Sequence, residues 1–151
     1  MMLIEDETLA LQEADFPSYF VKMHHPDDYI PINYPIEIEK IYHKRPDHNR
    51  LILRISVKIS TSTFIPVCFI CDTGAPNFVY INSITRRLID SRILEDDAGT
   101  EYIYINNNKM VLKSSSSHHP DVNIIGLKGL DKFGLFVKNG EFDFEDLPNY
   151  F

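Results

Sequence analysis

Phe64-Ile65-Pro66-Val67-Cys68-Phe69-Ile70-Cys71-Asp72-Thr73-Gly74-Ala75 is where the architecture of this chain can first be read. From Phe64 to Cys71 the run is nearly all apolar, the pattern of a strand covered on both faces. Asp72 then closes it. A carboxylate at the end of a buried strand is costly unless a partner or hydrogen bonds hold it. Gly74 permits a tight turn whose amides can approach that carboxylate, and the Thr73 hydroxyl can bond to a neighbouring loop. Such a turn serves chemistry in which two carboxylates share one proton and a water. One acts as general base while the other, protonated, polarises a carbonyl. Two such aspartates are needed, and the sequence carries the motif once.

Working outward, Leu51, Leu53, Ile55, Val57 and Ile59 alternate with residues that include Arg54, Ser56, Lys58 and Ser60, which predicts a half-buried strand. The cluster Ser60-Thr61-Ser62-Thr63 supplies a turn, so the two strands form a hairpin that leads into Asp72. Beyond the turn, Phe78 to Ile81 reads as a short strand. Asn82 or Ser83 then caps a helix running to about Leu94, with Ile81, Ile84 and Leu88 on its apolar face. Glu95 to Thr100 reads as a loop, and Tyr102–Ile105 and Met110–Lys113 as a second hairpin about Asn106-Asn107-Asn108. Ser114 to Pro120 is a polar connection to a buried strand, Val122–Ile125, that ends at Gly126. A short helix over Gly129–Phe133, stopped at Gly134, precedes final strands at Leu135–Val137 and Phe142–Phe144.

A chain of 151 residues with 44% hydrophobic content fits one domain with a real core. Residues 1–46 begin acidic and become rich in Tyr, Pro and Ile. Prolines at 26, 31, 35 and 46 exclude long helices after Lys22, so this part is read as an extension packed on a domain at 47–145, with a tail at 146–151. Tyr29 to Ile36 is expected to serve packing or as an edge strand. A net charge of -7 argues against nonspecific binding to nucleic acid. No apolar run of about 18 residues predicts a membrane span, and the start Met-Met-Leu-Ile-Glu-Asp-Glu does not read as a secretion signal. An intracellular protein, cytoplasmic or nuclear, is the expectation.

Cys68 and Cys71 have the spacing of a redox pair or half a zinc site. On a strand they point to opposite faces, which favours two buried structural thiols. His24-His25 and His118-His119 read as solvated loop residues with no ligand spacing around them, and Asp27-Asp28 and Asp96-Asp97 as loop charges. No metal or organic cofactor is expected.

Three motifs, in order and spacing, resemble the retropepsin-like aspartic proteases, a family that includes the retroviral and retrotransposon enzymes. Phe69-Ile70-Cys71-Asp72-Thr73-Gly74-Ala75 is similar to the family's catalytic signature, and Val122-Asn123-Ile124-Ile125-Gly126-Leu127 to its second motif beneath the catalytic loop. Leu130-Asp131-Lys132-Phe133-Gly134 resembles the C-terminal helix and its exit. The resemblance covers about residues 50 to 140. It implies a mainly β subunit, a small closed β-barrel with one or two short helices, that acts as a homodimer. Asp72 would be the catalytic residue, one per subunit. Thr73 would brace the two loops across the dimer, and Gly74 and Ala75 would shape the loop beside the substrate backbone. The implied reaction is endoproteolysis of a polypeptide bound as an added strand. Two departures stand out. The chain between Asp72 and Tyr102 leaves room for only a short flap or none, and Lys128 stands where the family has Asp or Asn. A shortened flap favours the alternative of an inactive domain kept for dimerisation or protein binding.

Overall fold

The hairpin expected around Ser60–Thr63 forms from β2 (Asn49–Lys58) and β3 (Phe64–Cys71), antiparallel from Leu51↔Cys71 to Lys58↔Phe64. Its turn closes through Ile59 N donating to Thr63 O at 2.9 Å. The computed structural model describes residues 27–44, 49–115 and 121–151. His24, His25, His118 and His119 lie outside these, as do 1–26 of the expected extension. The architecture is mainly β.

Ahead of the hairpin, β1 (Glu39–Lys44) pairs antiparallel with β2. After it come β4 (Val79–Ile81), the helix α1 (Ser83–Leu88), a 3-10 turn (Asp90–Arg92), and β5 (Leu94–Glu95). The second predicted hairpin is β6 (Glu101–Ile105) with β7 (Asn108–Ser114), joined through Asn106 and Asn107 at φ 48° and 64°. Those angles suit a two-residue hairpin turn, and Asn tolerates them better than other residues with a Cβ. β8 (Ile124–Ile125) and α2 (Leu127–Lys132) follow. The hairpin of β9 (Leu135–Lys138) and β10 (Glu141–Phe144) ends the succession.

Eight strands join in the order β1-β2-β3-β8-β4-β7-β6-β5, with β9 and β10 forming a separate pair. β8 is inserted parallel to β3 and antiparallel to β4, so the second motif lies directly beside the strand that carries Asp72. One face of the sheet forms the main core, where Leu53, Ile55, Val67, Phe69 and Ile125 are almost inaccessible. Each such side chain contributes about 1.5–3 kcal/mol relative to exposure. Phe151 enters this core against Phe69 and Phe133, with ring centroids 4.7 and 5.4 Å away. Its backbone bonds to β2, Phe151 N to Ser56 O at 2.8 Å and Lys58 N to Phe151 O at 2.7 Å.

Three expectations need correction. β2 is not half-buried: Ile52, Arg54 and Ser56, on the face opposite Leu53 and Ile55, are buried as well. The segment 27–38 lies over that face, with Ile36 N donating to Ser56 Oγ at 2.8 Å and Ile32 bridging to Phe64 in antiparallel fashion. Asp28, read as a loop charge, makes an ion pair with Arg54 at 2.9 Å in which both side chains are more than nine-tenths buried. The helix also differs, since α1 stops at Leu88 and turns Thr85 inward, with Ile89 buried at its C-terminal cap. Ile84 and Leu88 are exposed. The rotation follows from Asn82, whose side chain caps the helix at Thr85 N, while Thr85 itself is held from inside by Tyr29.

Candidate active site

Asp72 sits at the C-terminal end of β3, where the strand leaves the sheet, and it retains 8% of its accessibility. Its carboxylate is held by its own turn, Gly74 N donating to Asp72 Oδ1 at 2.8 Å, and the turn closes with Ala75 N on Asp72 O at 3.3 Å. A backbone amide aimed at a carboxylate offsets much of the cost of its burial. Thr73 and Ala75 are half-buried, whereas Gly74 and Pro76 form an exposed tip. The four residues expected to form the site therefore share one turn, with its apex open to solvent.

That turn is seated on the second motif. Asp72 N donates to Ile125 O at 2.9 Å, Leu127 N to Ala75 O at 2.7 Å and Gly126 N to Phe78 O at 3.0 Å. The fit leaves no space for a side chain at Gly126, where a Cβ would stand 2.2 Å from Asn77 O and 2.7 Å from Ala75 O. Gly129 on α2 is similar, since a Cβ there would lie 2.4 Å from Phe78 O. Lys128, one of the departures from the resembled family, extends over the Phe78 ring with Nζ 5.8 Å from its centroid.

Cys68 and Cys71 are both buried. They lie on opposite faces of β3, Cys71 in the main core and Cys68 in the smaller cluster with Ile52, Ile70 and Val122. Burial, with the neighbouring Asp72 charge second, pushes the Cys71 thiol far above its ordinary range, the direction that disfavours the thiolate. Among the described residues, no group of three or more His, Cys, Asp and Glu is placed to hold a metal ion, and no helix is long and apolar enough to cross a membrane.

A buried polar cluster flanks the site and was not foreseen from the sequence. The Tyr29 hydroxyl lies 3.0 Å from Asn82 Nδ2, 2.9 Å from Asn123 Nδ2 and 2.9 Å from Thr85 Oγ1. A phenol oxygen that accepts two amide hydrogens directs its own hydrogen to the third neighbour, so Tyr29 donates to Thr85. Asn123 Oδ1 in turn accepts from Asn82 N at 2.9 Å. The available signal was Asn123 itself, a polar residue inside the apolar run Val122 to Ile125.

Between the 3-10 turn and β6, β5 pairs with β6 only at Leu94↔Tyr102 and Glu95↔Glu101. The Asp96 carboxylate organises the connecting loop by accepting from Ala98 N at 3.0 Å and Thr100 N at 2.9 Å. Away from Asp72, a cavity of about 600 Å³ opens among Lys58, Arg92, Tyr104, Asn107, Tyr150 and Phe151. Arg92 is committed there to structure, donating to Lys58 O at 2.7 Å and Phe151 O at 2.8 Å.

Comparison of the chain with models of known families, with curated proteins and with solved structures gave no match.

Proposed function

We propose that the chain is a retropepsin-like subunit, a small closed β-barrel, which acts as a homodimeric aspartic endopeptidase. Each subunit contributes one Asp72 to a shared site. The observation that carries this reading is the seating of the Asp72 turn on Ile125-Gly126-Leu127, with an amide of the turn itself bonded to the carboxylate. A turn that only reversed the chain would not need its aspartate buried, nor a glycine beneath it that excludes even a methyl group.

Within such a dimer the two Asp72 carboxylates share a proton, because like charges at close range cannot both ionise. The ionised partner takes a proton from a water. The protonated one donates to the scissile carbonyl oxygen, so the tetrahedral intermediate forms without a metal or organic cofactor. Gly74 and Ala75 offer backbone to an extended polypeptide at the exposed tip, and Thr73 braces the paired loops. The partners are a second copy and a polypeptide, with no nucleic acid or membrane, inside the cell.

The two-residue pairing of β5 with β6 favours the second reading, a domain that keeps the fold to dimerise or to bind protein. So short a hairpin gives little to close over a peptide and exclude water. One experiment separates the two. Purified chain is incubated with a mixed peptide library between pH 4 and 7 and sedimented in parallel. The enzyme reading expects a dimer whose cleavage falls by about 10²–10⁴-fold on Asp72→Asn. Cleavage unaffected by that substitution sinks it, and a dimer without cleavage leaves the binding module.

A further inference from the structure

Tyr29 is the point where the segment ahead of the sheet reaches the strands that hold Asp72. Its backbone has φ 65°, a conformation that a bulky side chain adopts only when its surroundings impose it. Its amide donates to Pro66 O at 2.9 Å, continuing the edge of β3 where β8 does not extend. The adjoining Asp28 is anchored by Arg54. With its backbone fixed on one strand, the ring carries the hydroxyl to Asn82, Asn123 and Thr85.

The two asparagines are not equivalent to other core residues. Asn123 precedes β8, a strand of only two residues, and Asn123 O accepts from Ile70 N at 2.9 Å. Two residues further on, Ile125 O accepts the Asp72 amide. The two residues of β8 pair with β3 on one side and β4 on the other, so each constraint at its start bears directly on the carbonyl that holds Asp72 N. The Asn123 side chain adds one more, tied to Tyr29 on one side and to the Asn82 amide, at the junction of β4 and α1, on the other. We infer that Tyr29 is a positioning residue for Asp72, acting through Asn123 and β8, and that the segment 27–36 is thereby coupled to the site. Only the kinetic part of its test rests on the endopeptidase reading.

The test is amide hydrogen exchange on the full chain carrying Tyr29→Phe, with Thr85→Val as control. Loss of the phenol oxygen strips an acceptor from Asn123, whereas Thr85→Val disturbs the same cluster without touching β8. The expected result for Tyr29→Phe is a roughly 5- to 30-fold faster exchange at Ile70 and Asp72, with Ile103 and Met110 in the β6–β7 hairpin unchanged. Thr85→Val should leave Ile70 and Asp72 protected. Equal acceleration everywhere, equal acceleration in both variants, or no acceleration at Asp72 overturns the inference. This holds whether or not the chain cleaves peptides. In a cleaving dimer Tyr29→Phe lowers kcat with KM unchanged, and an unchanged kcat overturns the coupling to catalysis. If Tyr29→Phe is recovered unfolded, Asp28→Asn loosens the same segment at the Arg54 pair, and the same two amides are read.

Discussion

Strand β2 and the β6–β7 hairpin are built from similar alternating sequence and end in opposite environments. In β6–β7 the alternation has its ordinary outcome: Ile103, Ile105, Met110 and Leu112 face the core while Tyr104 and Lys109 face solvent. In β2 both sets are buried, because residues 27–38 lie over the outer face of the hairpin, where Ile52, Cys68, Ile70 and Val122 form a second apolar cluster. Alternation therefore reports which residues share a face and not whether water reaches it. The covered hairpin is also the one that ends in Asp72, so it is the buried strand pair that presents the candidate site.

The largest effect is expected where the end of β3 meets β8. Gly126→Ala drives a methyl group against two backbone oxygens and should cost about 4 kcal/mol or more in urea unfolding, to the point of preventing recovery of folded chain. A variant of wild-type stability would mean that the Asp72 turn is not seated there. Next comes the outer face of β2. Arg54→Met leaves the Asp28 carboxylate buried without its guanidinium, an expected loss of about 3–5 kcal/mol. The double variant with Asp28→Asn should recover part of that loss, and a simple sum of the two single losses would count against a covered face.

Acid should act at two carboxylates outside the buried face of β2. Hydrogen bonds from Thr100 N, then Ala98 N, with Lys109 nearby, hold the Asp96 carboxyl below its ordinary range. A depressed folded value stabilises the loop above the ordinary carboxylate pKa of about 3.9, and the contribution disappears as pH falls through the lower folded value. In an NMR titration from pH 6 to pH 2, the Ala98 and Thr100 amides should shift with a midpoint below the ordinary Asp value. A midpoint above it contradicts the loop geometry. Asp143, held down chiefly by its hydrogen bond from Lys40, should behave likewise at the β1–β10 contact. The smallest effect belongs to the exposed face of β6. Tyr104→Thr should change stability by about 0.5 kcal/mol or less, and a loss comparable with that of Arg54→Met would erase the contrast between the hairpins.

Much of this was legible in the chain itself. The unbroken apolar run Phe64 to Cys71, the Asn106-Asn107 turn, Asn82 as a cap and Gly134 at φ 67° are local signals, since each depends on the conformations one residue or one strand can adopt. The opposed faces of Cys68 and Cys71 followed from strand period alone. The inward face of α1 was not legible. Ile84 and Leu88 have the spacing of a buried stripe, yet Thr85 and Ile89 occupy the inside because a tyrosine more than fifty residues earlier binds the Thr85 hydroxyl. No local pattern encodes that partner.

At the candidate site the division is the same. Sequence by itself determined that an aspartate ends a buried strand and is followed by a residue pair able to turn tightly, because apolar runs and glycine carry their physical meaning locally. Only the tertiary structure decided how closely Gly126 meets Asn77 and Ala75, that Gly129 packs against Phe78, that Arg54 finds Asp28, and that Tyr29 closes on Asn82 and Asn123. These are pairings across long stretches of chain, fixed by which surfaces remain to be covered once the strands have formed.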